Sequence, residues 1–255
     1  MNLSKESAHQ QIFSRAELAS LQHIPRHIAM IMDGNRRWSR QQKMKIMDPL
    51  AGHWEGTHNL FRITWAAIEL GIEQLTLYGF STENWSRSPA EVACLLTVMK
   101  KALEYYREPM IEQGVRLQII GDYRAFPLPL QNILEETVHA TRLGQRIGLN
   151  LALNYGGRDE LKRAVQCIAQ KVEEGGLRVQ DITEETIGRY LDTASLPDPE
   201  LLIRTSGELR ISNFLLWQLA YTEFYITPVL WPDFSPHDLL TALQHYQQRI
   251  RRMGQ

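Results

Sequence analysis

The chain has 255 residues, of which 44% are hydrophobic and 22% are charged, and its formal net charge is −1 at pH 7. A chain of this length and composition can bury one substantial core, so we predict a single domain. The near-neutral charge gives no global reason to expect nucleic acid as a partner, and any anion site must therefore be local.

Apolar runs and helical patterns alternate along the chain. Residues 1–25 are polar and mixed, and we expect a poorly fixed N-terminal arm ahead of one domain over residues 26–255. Strands are predicted over residues 28–32, 75–78, 115–120, 149–153 and 201–203, helices over residues 52–70, 89–113, 130–143, 159–174, 184–191, 212–219 and 236–251, and a short extended segment over residues 224–230. This alternation favours an α/β fold with a mainly parallel central sheet flanked by helices.

The cysteines and the hydropathy pattern narrow the class of protein. Cys94 and Cys167 form no CxxC pair and have no metal-site spacing, so a disulfide framework is not expected and a reducing cytoplasm fits. The sequence has no run of about 18 apolar residues and no signal-peptide core. We therefore predict a cytoplasmic protein that at most touches membranes.

Polar segments follow the carboxyl ends of the predicted strands. The sequence Asp-Gly-Asn-Arg-Arg-Trp over residues 33–38 follows the first strand, and residues 204–213 follow the last. In open α/β sheets, ligands bind just outside such strand ends. Aspartate can hold magnesium and arginine can bind phosphate oxygens. The two segments together predict a site for a magnesium diphosphate.

Asp33 is the single acid among the basic residues of the first segment. Its carboxylate stands at a strand end, beside the first backbone N–H groups of the next helix, which attract anions. Simple N-capping by Asp33 and an exposed basic helix are the structural alternatives. Arg37 and His53 add donors nearby. His53 and His58 are five residues apart, which is a poor spacing for a zinc site on a helix.

The segment from Phe80 to Arg87 mixes aromatic, hydroxyl, amide and guanidinium groups. This mixture suits an apolar substrate with a charged head, because aromatic faces can stabilise a carbocation while Asn84 and Arg87 orient a leaving group. The alternative is that Phe80 and Trp85 only fill the core. The polar residues over 121–122 and 154–158 are consistent with turns alone.

The last polar segment gives the strongest signal. Arg204, Arg210 and Ser212 lie within nine positions, with a glycine at position 207 that allows close backbone approach. Two guanidiniums and a glycine at a strand end favour phosphate binding over a purely structural role. Glu223 would be an ordinary surface residue if taken alone, and only its neighbours make it a candidate metal ligand.

These motifs make the chain resemble the cis-prenyltransferases of the undecaprenyl diphosphate synthase type. The resemblance is carried, in order, by residues 27–35, 77–85, 119–122, 154–158 and 203–217, and it spans residues 25–252. Five ordered motifs are far more specific than one short pattern.

The resemblance implies a homodimeric, magnesium-dependent enzyme that condenses isopentenyl diphosphate with an allylic prenyl diphosphate and releases pyrophosphate. It implies catalytic roles for Asp33, His53 and Asn84, and metal binding by Asp33 and Glu223. It assigns substrate binding to Gly34, Asn35, Arg37, Trp38, Phe80, Ser81, Trp85, Arg87, Arg204, Arg210 and Ser212. It also implies an apolar tunnel walled by helices 52–70 and 89–113 and, for product release, contact with a membrane surface. Because a strand-end carboxylate that faces solvent is cheap to remove, replacing Asp33 should abolish turnover with modest loss of stability.

Several residues depart from the family pattern, and they leave substrate identity open. Arg36 replaces a usual glycine, the segment between Trp38 and His53 is about three residues longer than usual, and Pro49 replaces an arginine for which Lys43 or Lys45 substitutes. Glu55 and Leu209 stand where small and polar residues are usual. Two other functions therefore stay open: a paralogue for terpene synthase-like or irregular prenyl coupling, and a non-catalytic partner subunit or prenyl diphosphate-binding module.

Overall fold

The computed structural model describes residues 11–42 and 51–249. The strands in these residues are β1 (His27–Ile31), β2 (Gln74–Ser81), β3 (Val115–Ile120), β4 (Ile147–Tyr155), β5 (Leu201–Arg204) and β6 (Glu223–Ile226). The α-helices are α1 (Arg15–Ala19), α2 (Asn35–Gln41), α3 (Ala51–Glu69), α4 (Pro89–Glu112), α5 (Leu128–Thr141), α6 (Gly157–Glu173), α7 (Glu184–Arg189) and α8 (Pro236–Gln247). Short 3-10 helices cover Thr82–Ser86, Tyr123–Ala125, Val179–Asp181 and Trp231–Asp233.

The strands form one parallel sheet in the order β3-β4-β2-β1-β5-β6. Every residue of β1, β4 and β5 is buried. Such fully buried strands are typical of parallel sheets that helices cover on both faces. The predicted α/β fold, with one domain built on a parallel sheet, is confirmed.

Local sequence signals fix the starts of the helices beside the sheet. Ser88 accepts a hydrogen bond from the N–H of Glu91, and Pro89 occupies the first turn of α4. This arrangement satisfies one free N–H group and uses a residue whose φ already suits a helix. Ser235 and Asp238 form a reciprocal capping box at the start of α8. The main core lies where α3, α4 and α8 pack their apolar side chains against the sheet.

The helix predicted over residues 212–219 is wrong. The chain passes through turns there, and Ser212, Asn213 and Leu215 have φ angles of 50°, 62° and 45°. Residues with positive φ cannot continue a right-handed helix. The apolar residues that gave the helical pattern are nevertheless buried, with Phe214 and Leu215 both 0% exposed.

The N-terminal segment is packed against the domain over its described part, residues 11–25. Phe13 is 1% exposed, and the backbone N–H groups of Ile12 and Phe13 donate to the carboxylate of Glu69 at 2.9 and 2.8 Å. This part of the segment thus contacts α3 through Glu69. Residues 1–10 lie outside the described residues, and the division at residue 25 stays a prediction.

Candidate active site

The candidate site lies at the carboxyl edge of the sheet, where β1, β2 and β5 end side by side. Ile31 of β1 is paired with Arg204 of β5, and Met30 is paired with Leu77 of β2. Because the strands are parallel, the residues that follow them emerge at the same edge. This topology brings three segments together: residues 33–38, the aromatic loop (residues 80–87) and the grip loop (residues 204–213).

Asp33 and Arg204 form the central ion pair of the site. Arg204 Nη2 donates to Asp33 Oδ2 at 2.9 Å, and Arg37 Nη2 lies 3.7 Å from the same oxygen. The Arg204 side chain is 3% exposed, whereas that of Asp33 is 32% exposed. The site therefore contains a buried cation whose partner carboxylate remains open to the cleft.

The pKa of Asp33 lies below its ordinary value. Partial burial acts to raise this pKa, but hydrogen bonds from Arg204 and Ser206 lower it by more. The positive charge of Arg37 acts in the same direction. Asp33 is consequently ionised at neutral pH, as a metal ligand must be.

The backbone also holds Asp33 in place. Its N–H donates to Thr205 Oγ1 at 2.9 Å, and its carbonyl oxygen accepts from the same hydroxyl at 2.6 Å. Trp231 N–H donates to that carbonyl at 3.0 Å. Thr205 is fully buried. The sequence patterns did not single out this residue, because its role depends on β5 lying next to β1.

Arg204, Arg210 and Arg37 make further contacts with groups of the grip loop. Arg204 Nη1 donates to Ser212 Oγ at 3.0 Å and also to the carbonyl oxygen of Arg210. The Arg210 guanidinium contacts the carboxylate of Glu208 at 2.5 Å and is 61% exposed. Arg37 donates to the backbone carbonyl of Ser206 at 3.0 Å and to its hydroxyl group.

These contacts form one network of guanidiniums, hydroxyls and carboxylates. Arg204 Nε is buried and makes no hydrogen bond within the described residues. Buried donors are normally paired, so an unused guanidinium N–H at this edge is consistent with an anionic ligand. The predicted association of Arg37, Arg204, Arg210 and Ser212 is present in the structure.

Gly34 and Asn35 make the sharp turn from β1 into α2. Gly34 has a φ of 114°, and a Cβ at this position would lie 2.9 Å from Cδ2 of Leu230. Both facts require glycine. The Oδ1 atom of Asn35 is buried and makes no hydrogen bond within the described residues. Trp38 Nε1 donates to Asp233 Oδ1 at 2.7 Å, which ties α2 to the turn before α8.

The aromatic loop packs beside this turn. Phe80 is 1% exposed and makes edge contacts with Trp85 and Phe126, with ring centroids 5.2 and 5.5 Å apart. Trp85 Nε1 donates to Asn154 Oδ1 at 2.8 Å. The aromatic side chains of this loop thus form one cluster with Phe126. Phe80 fills the core, whereas Trp85 is 38% exposed.

Two polar residues of the aromatic loop, Asn84 and Arg87, make hydrogen bonds within their own part of the chain. Asn84 Oδ1 accepts from the N–H of Ser81 at 3.0 Å, and Arg87 Nη1 donates to Glu91 at 3.0 Å. The side chain of Asn84 is half-buried. Its amide nitrogen is the group left for a substrate, and its catalytic role stays a prediction.

His53 lies at the mouth of an apolar cavity between α3, α4 and the ends of β2 and β4. The cavity has a volume of about 110 Å³. The lining residues are Met32, Asn35, His53, Gly56, Thr57, Leu60, Phe61, Gly79, Phe80, Leu95, Val98, Met99, Ala102, Leu103, Leu151, Leu153 and Trp231. The cavity lies between the two helices that were expected to wall a tunnel, and the tunnel itself stays a prediction.

Burial lowers the pKa of His53, and the positive charge of Arg87 lowers it further, against an opposing effect of Glu91. The imidazole is therefore neutral at neutral pH. A neutral histidine can donate or accept a hydrogen bond beside a diphosphate without adding charge.

Glu223 lies away from Asp33 within this chain, and its role as a metal ligand stays a prediction. Glu223 begins β6 and is level with Leu201 and Ile28, at the amino ends of their strands. Asp33 is five residues beyond Ile28, or roughly 16 Å along the strand direction. Glu223 instead binds Arg249 at 2.6 Å. The order of the strands, which sequence patterns do not give, decides this result.

The described departures from the family pattern lie on α2, α3 and the grip loop. Arg36 Nε is 3.8 Å from Glu91 Oε1, so this extra cation points toward α4 and the aromatic loop. Leu209 is 85% exposed on the grip loop. Glu55 is half-buried in α3. Lys43, Lys45 and Pro49 lie outside the described residues.

The described residues contain neither a cluster of potential metal ligands nor a membrane-spanning helix. Within residues 11–42 and 51–249, no group of three or more His, Cys, Asp or Glu side chains is arranged to hold a metal ion. In the same residues, no helix is both long enough and apolar enough to cross a membrane.

Comparison with known proteins identifies the family. Residues 31–254 match the family described as "Putative undecaprenyl diphosphate synthase". The chain is 49% identical over 232 residues to a protein named isoprenyl transferase from Chlamydia trachomatis serovar D, covering 91% of this chain and 92% of that protein. It is also 49% identical over 231 residues to the isoprenyl transferase of Bacillus subtilis strain 168, covering 91% and 88%.

A solved structure with a similar fold is lavandulyl diphosphate synthase from Lavandula x intermedia in complex with dimethylallyl diphosphate. Its TM-score to this chain is 0.88 at 38% sequence identity, and the match covers 91% of this chain and 99% of that one. The agreement of sequence and fold extends over nearly the whole molecule. The chain therefore belongs to the undecaprenyl diphosphate synthase family of prenyltransferases.

Proposed function

We propose that this protein is a magnesium-dependent cis-prenyltransferase that condenses isopentenyl diphosphate with an allylic prenyl diphosphate. The observation that carries the proposal is the contact of one partly exposed carboxylate, Asp33, with Arg37 and Arg204. Asp33 lies between Met32 and Asn35, which line an apolar cavity. A diphosphate needs the charged groups, and a prenyl chain needs the cavity. The names of the relatives support the same reaction.

In this proposal, the two diphosphates bind to different parts of the carboxyl edge. Gly34, Asn35 and Arg37 hold the allylic diphosphate, whose chain enters the cavity between α3 and α4. Arg204, Arg210 and Ser212 hold isopentenyl diphosphate on the grip loop. Two bound diphosphates carry several negative charges, so the cluster of guanidiniums is needed for both substrates to bind together.

The residues present fit magnesium only as an ion shared with the substrate. Asp33 offers an ionised, partly exposed carboxylate, and three-residue metal clusters are missing from the described residues. Mg²⁺ commonly binds through one or two carboxylates together with substrate phosphates. When bound, it would neutralise the diphosphate oxygens and make pyrophosphate a better leaving group.

The protein's own groups would then act on a developing cation. The C1–O bond of the allylic substrate breaks with its electrons leaving on pyrophosphate, the alkene of isopentenyl diphosphate forms the new carbon–carbon bond, and loss of a proton leaves a new double bond. The apolar cavity excludes water from the cation, and the face of Trp85 offers stabilisation. Neutral His53, Asn84 and Arg87 orient the leaving group.

Three further properties are part of the proposal. Homodimerisation, a cytoplasmic location and contact with a membrane surface for product release all follow from the family resemblance. A long prenyl product is poorly soluble in water, which supports the membrane contact. Glu223, which lies too far from Asp33 in its own chain, is not assigned to the metal.

One observation favours a second candidate function, irregular prenyl coupling. The similar structure with a TM-score of 0.88 is named as a lavandulyl diphosphate synthase and holds dimethylallyl diphosphate. Arg36 also adds a cation near the proposed allylic site. In this reaction two allylic diphosphates would couple, and the product would be branched.

The test is product analysis with the purified full-length protein. We would incubate it with magnesium, labelled isopentenyl diphosphate and allylic primers of increasing length, then determine product masses and double-bond geometry. Chain-elongated diphosphates with new cis double bonds support the proposal. A branched product from dimethylallyl diphosphate alone would establish the alternative, and the absence of any prenyl product would contradict both.

A further inference from the structure

A hydrogen bond joins the aromatic loop to the grip loop directly. Asn213 Nδ2 donates to Glu83 Oε1 at 2.8 Å. We call this bond the latch. Glu83 belongs to the short 3-10 helix that also contains Asn84, and Asn213 directly follows Ser212. The latch therefore links the loop proposed to orient the allylic leaving group with the loop proposed to bind isopentenyl diphosphate.

Both ends of the Asn213 amide are committed. Its Oδ1 accepts from the backbone N–H of Arg158 at 2.9 Å, while its Nδ2 faces Glu83. A backbone N–H requires an acceptor, and a carboxylate requires a donor, so both partners fix the same orientation of the amide. Neither aspartate nor leucine at position 213 could satisfy both partners.

Glu83 is suited to its part in the latch. Burial acts to raise the pKa of this carboxyl group, but hydrogen bonds from Asn213 and other neighbours lower it by more. Glu83 is thus ionised at neutral pH and can only accept hydrogen bonds. The donor must come from Asn213.

The loops around the latch are packed closely enough to transmit a displacement. Gly156 is buried, and a Cβ at this position would lie 2.6 Å from Thr82 Oγ1 and 2.7 Å from Asn213 Nδ2. The backbone N–H of Gly157 donates to the carbonyl oxygen of Asn213 at 2.7 Å. The start of α6 therefore packs against Asn213 and against Thr82, the residue before Glu83.

A second contact joins β2 to the end of the grip loop and the residue that follows it. Tyr78, on β2 just before the aromatic loop, stacks on Phe214 with ring centroids 4.4 Å apart. Its hydroxyl group lies within hydrogen-bond distance of the carbonyl oxygens of Tyr155 and Ser212, at 3.2 and 3.3 Å. The backbone of the grip loop has positive φ at Ser212 and Asn213, a conformation that needs such support.

We propose that Asn213 is a positioning residue that, through the latch, holds the aromatic loop in register with the grip loop during catalysis. This inference rests on the proposed function. Without the latch, each diphosphate still meets its own cations, but the two reacting carbons are no longer held at a productive distance. Small misplacements of reacting groups reduce the rate of the chemical step more than they reduce binding.

Four forms of the full-length protein test the latch: wild type, Glu83→Gln, Asn213→Asp and the double variant. Glu83→Gln keeps an oxygen for Asn213 and is the matched control. Asn213→Asp keeps the acceptor for Arg158 but sets two carboxylates against each other. In the double variant, the new amide at position 83 can donate to the new carboxylate at position 213. The hydrogen bond is therefore restored in the reverse direction.

The readout is kcat, together with KM for labelled isopentenyl diphosphate at saturating dimethylallyl diphosphate or the longer primer that wild type prefers. We expect Asn213→Asp to lower kcat more than about fivefold while KM changes less than about threefold. The control and the double variant should stay within about threefold of wild-type kcat. The kcat of Asn213→Asp relative to wild type should rise as the pH is lowered, because a shared proton restores a hydrogen bond.

The proposal is overturned if Asn213→Asp loses less than about fivefold in kcat, or if the double variant is as slow as Asn213→Asp. Glu83→Ala breaks the same bond from the other side and replaces Asn213→Asp if that variant does not fold. Amide hydrogen exchange of residues 81–88 does not depend on activity. It therefore tests the latch even if wild type makes no product and the proposed function fails. Faster exchange in Asn213→Asp, reversed in the double variant, supports the latch, and equal exchange in all four forms refutes it.

Discussion

Removing Asp33 should destabilise the fold more than a solvent-facing carboxylate at a strand end would suggest. The sequence predicted a modest loss, because nothing in it shows what the carboxylate touches. In the structure, Asp33 compensates the charge of Arg204, whose side chain is only 3% exposed. The change Asp33→Asn keeps the shape of the side chain and removes its charge, which leaves the buried guanidinium without an anionic partner.

The expected loss lies between two limits. Exposed ion pairs contribute about 0–1 kcal/mol, and breaking a buried pair costs about 3–5 kcal/mol. Asp33 is 32% exposed, and Arg204 keeps Ser212 Oγ and the carbonyl of Arg210 as acceptors. We therefore expect a loss of about 2 kcal/mol in the free energy of unfolding, or about 4–8 °C in Tm for a chain of this size.

A double-mutant cycle measures this effect. Urea and thermal unfolding are compared for wild type, Asp33→Asn, Arg204→Met and the double variant, and the double variant should lose about 2 kcal/mol less than the sum of the single changes. Asp122→Asn is the matched control, because Asp122 also follows a strand but accepts a local hydrogen bond, from the N–H of Arg124. It should cost less than about 1 kcal/mol.

Two results would refute this reasoning. One is an Asp33→Asn variant with wild-type stability, and the other is an additive cycle, since either means that the pair does not form in solution. The acid dependence gives a further check. The folded-state pKa of Asp33 is lowered, so the pair stabilises the fold above the unfolded-state pKa of about 3.9, and this contribution is lost as the pH falls through the lower folded value.

Three other predictions follow from the described contacts. His27 is buried with a pKa of about 4 against an ordinary 6.5, so unfolding takes up a proton and stability should fall by about 2 kcal/mol between about pH 7 and 5; urea titrations should lose that slope in His27→Gln. Gly156→Ala should lower the free energy of unfolding by about 1–3 kcal/mol, because a Cβ at this position has no room. Gly188→Ala in α7 should raise it by about 0.5–1 kcal/mol, because a Cβ there meets nothing within 4 Å. Similar effects of the two changes would contradict the close packing at the start of α6. Arg36→Ala should raise KM for the allylic primer about three- to tenfold with little change in Tm, because alanine suits a helix and the contact of Arg36 with Glu91 is long and exposed. An unchanged KM would remove Arg36 from the allylic site.

The fold was predictable from the sequence where apolar runs and caps carry the information. The strands predicted over residues 28–32, 115–120 and 201–203 agree with β1, β3 and β5 to within one residue at either end. Buried parallel strands leave such runs because both faces must be apolar. The helix start at Pro89 was also predicted, since proline and an acid in the first turn are local signals.

What the sequence did not show has one physical cause, which is dependence on distant parts of the chain. Residues 212–219 have a helical apolar pattern, but contacts with Tyr78 and Gly157 accompany positive φ angles that no helix tolerates. The position of Glu223 depends on the register of β6 with β5.

The latch could not be predicted for the same reason, because Glu83 and Asn213 are 130 residues apart in sequence. The site residues near the strand ends were predictable in kind, since parallel topology brings such residues to one edge. Their pairing with one another was not predictable, because it depends on which strands are neighbours in the sheet.

The central claim is that Asp33 and the guanidiniums of Arg37, Arg204 and Arg210 together bind a magnesium diphosphate. In the structure, Arg204 is paired with Asp33 and Arg210 with Glu208, so binding of a diphosphate must redirect these groups. The most direct measurement is a crystal structure with magnesium, a non-reactive allylic diphosphate analogue and isopentenyl diphosphate. We expect Asp33 to bind the metal, and Arg204 and Arg210 to bind diphosphate oxygens. A bound diphosphate with Asp33 turned away, and with both arginines still in their internal pairs, would contradict this assignment.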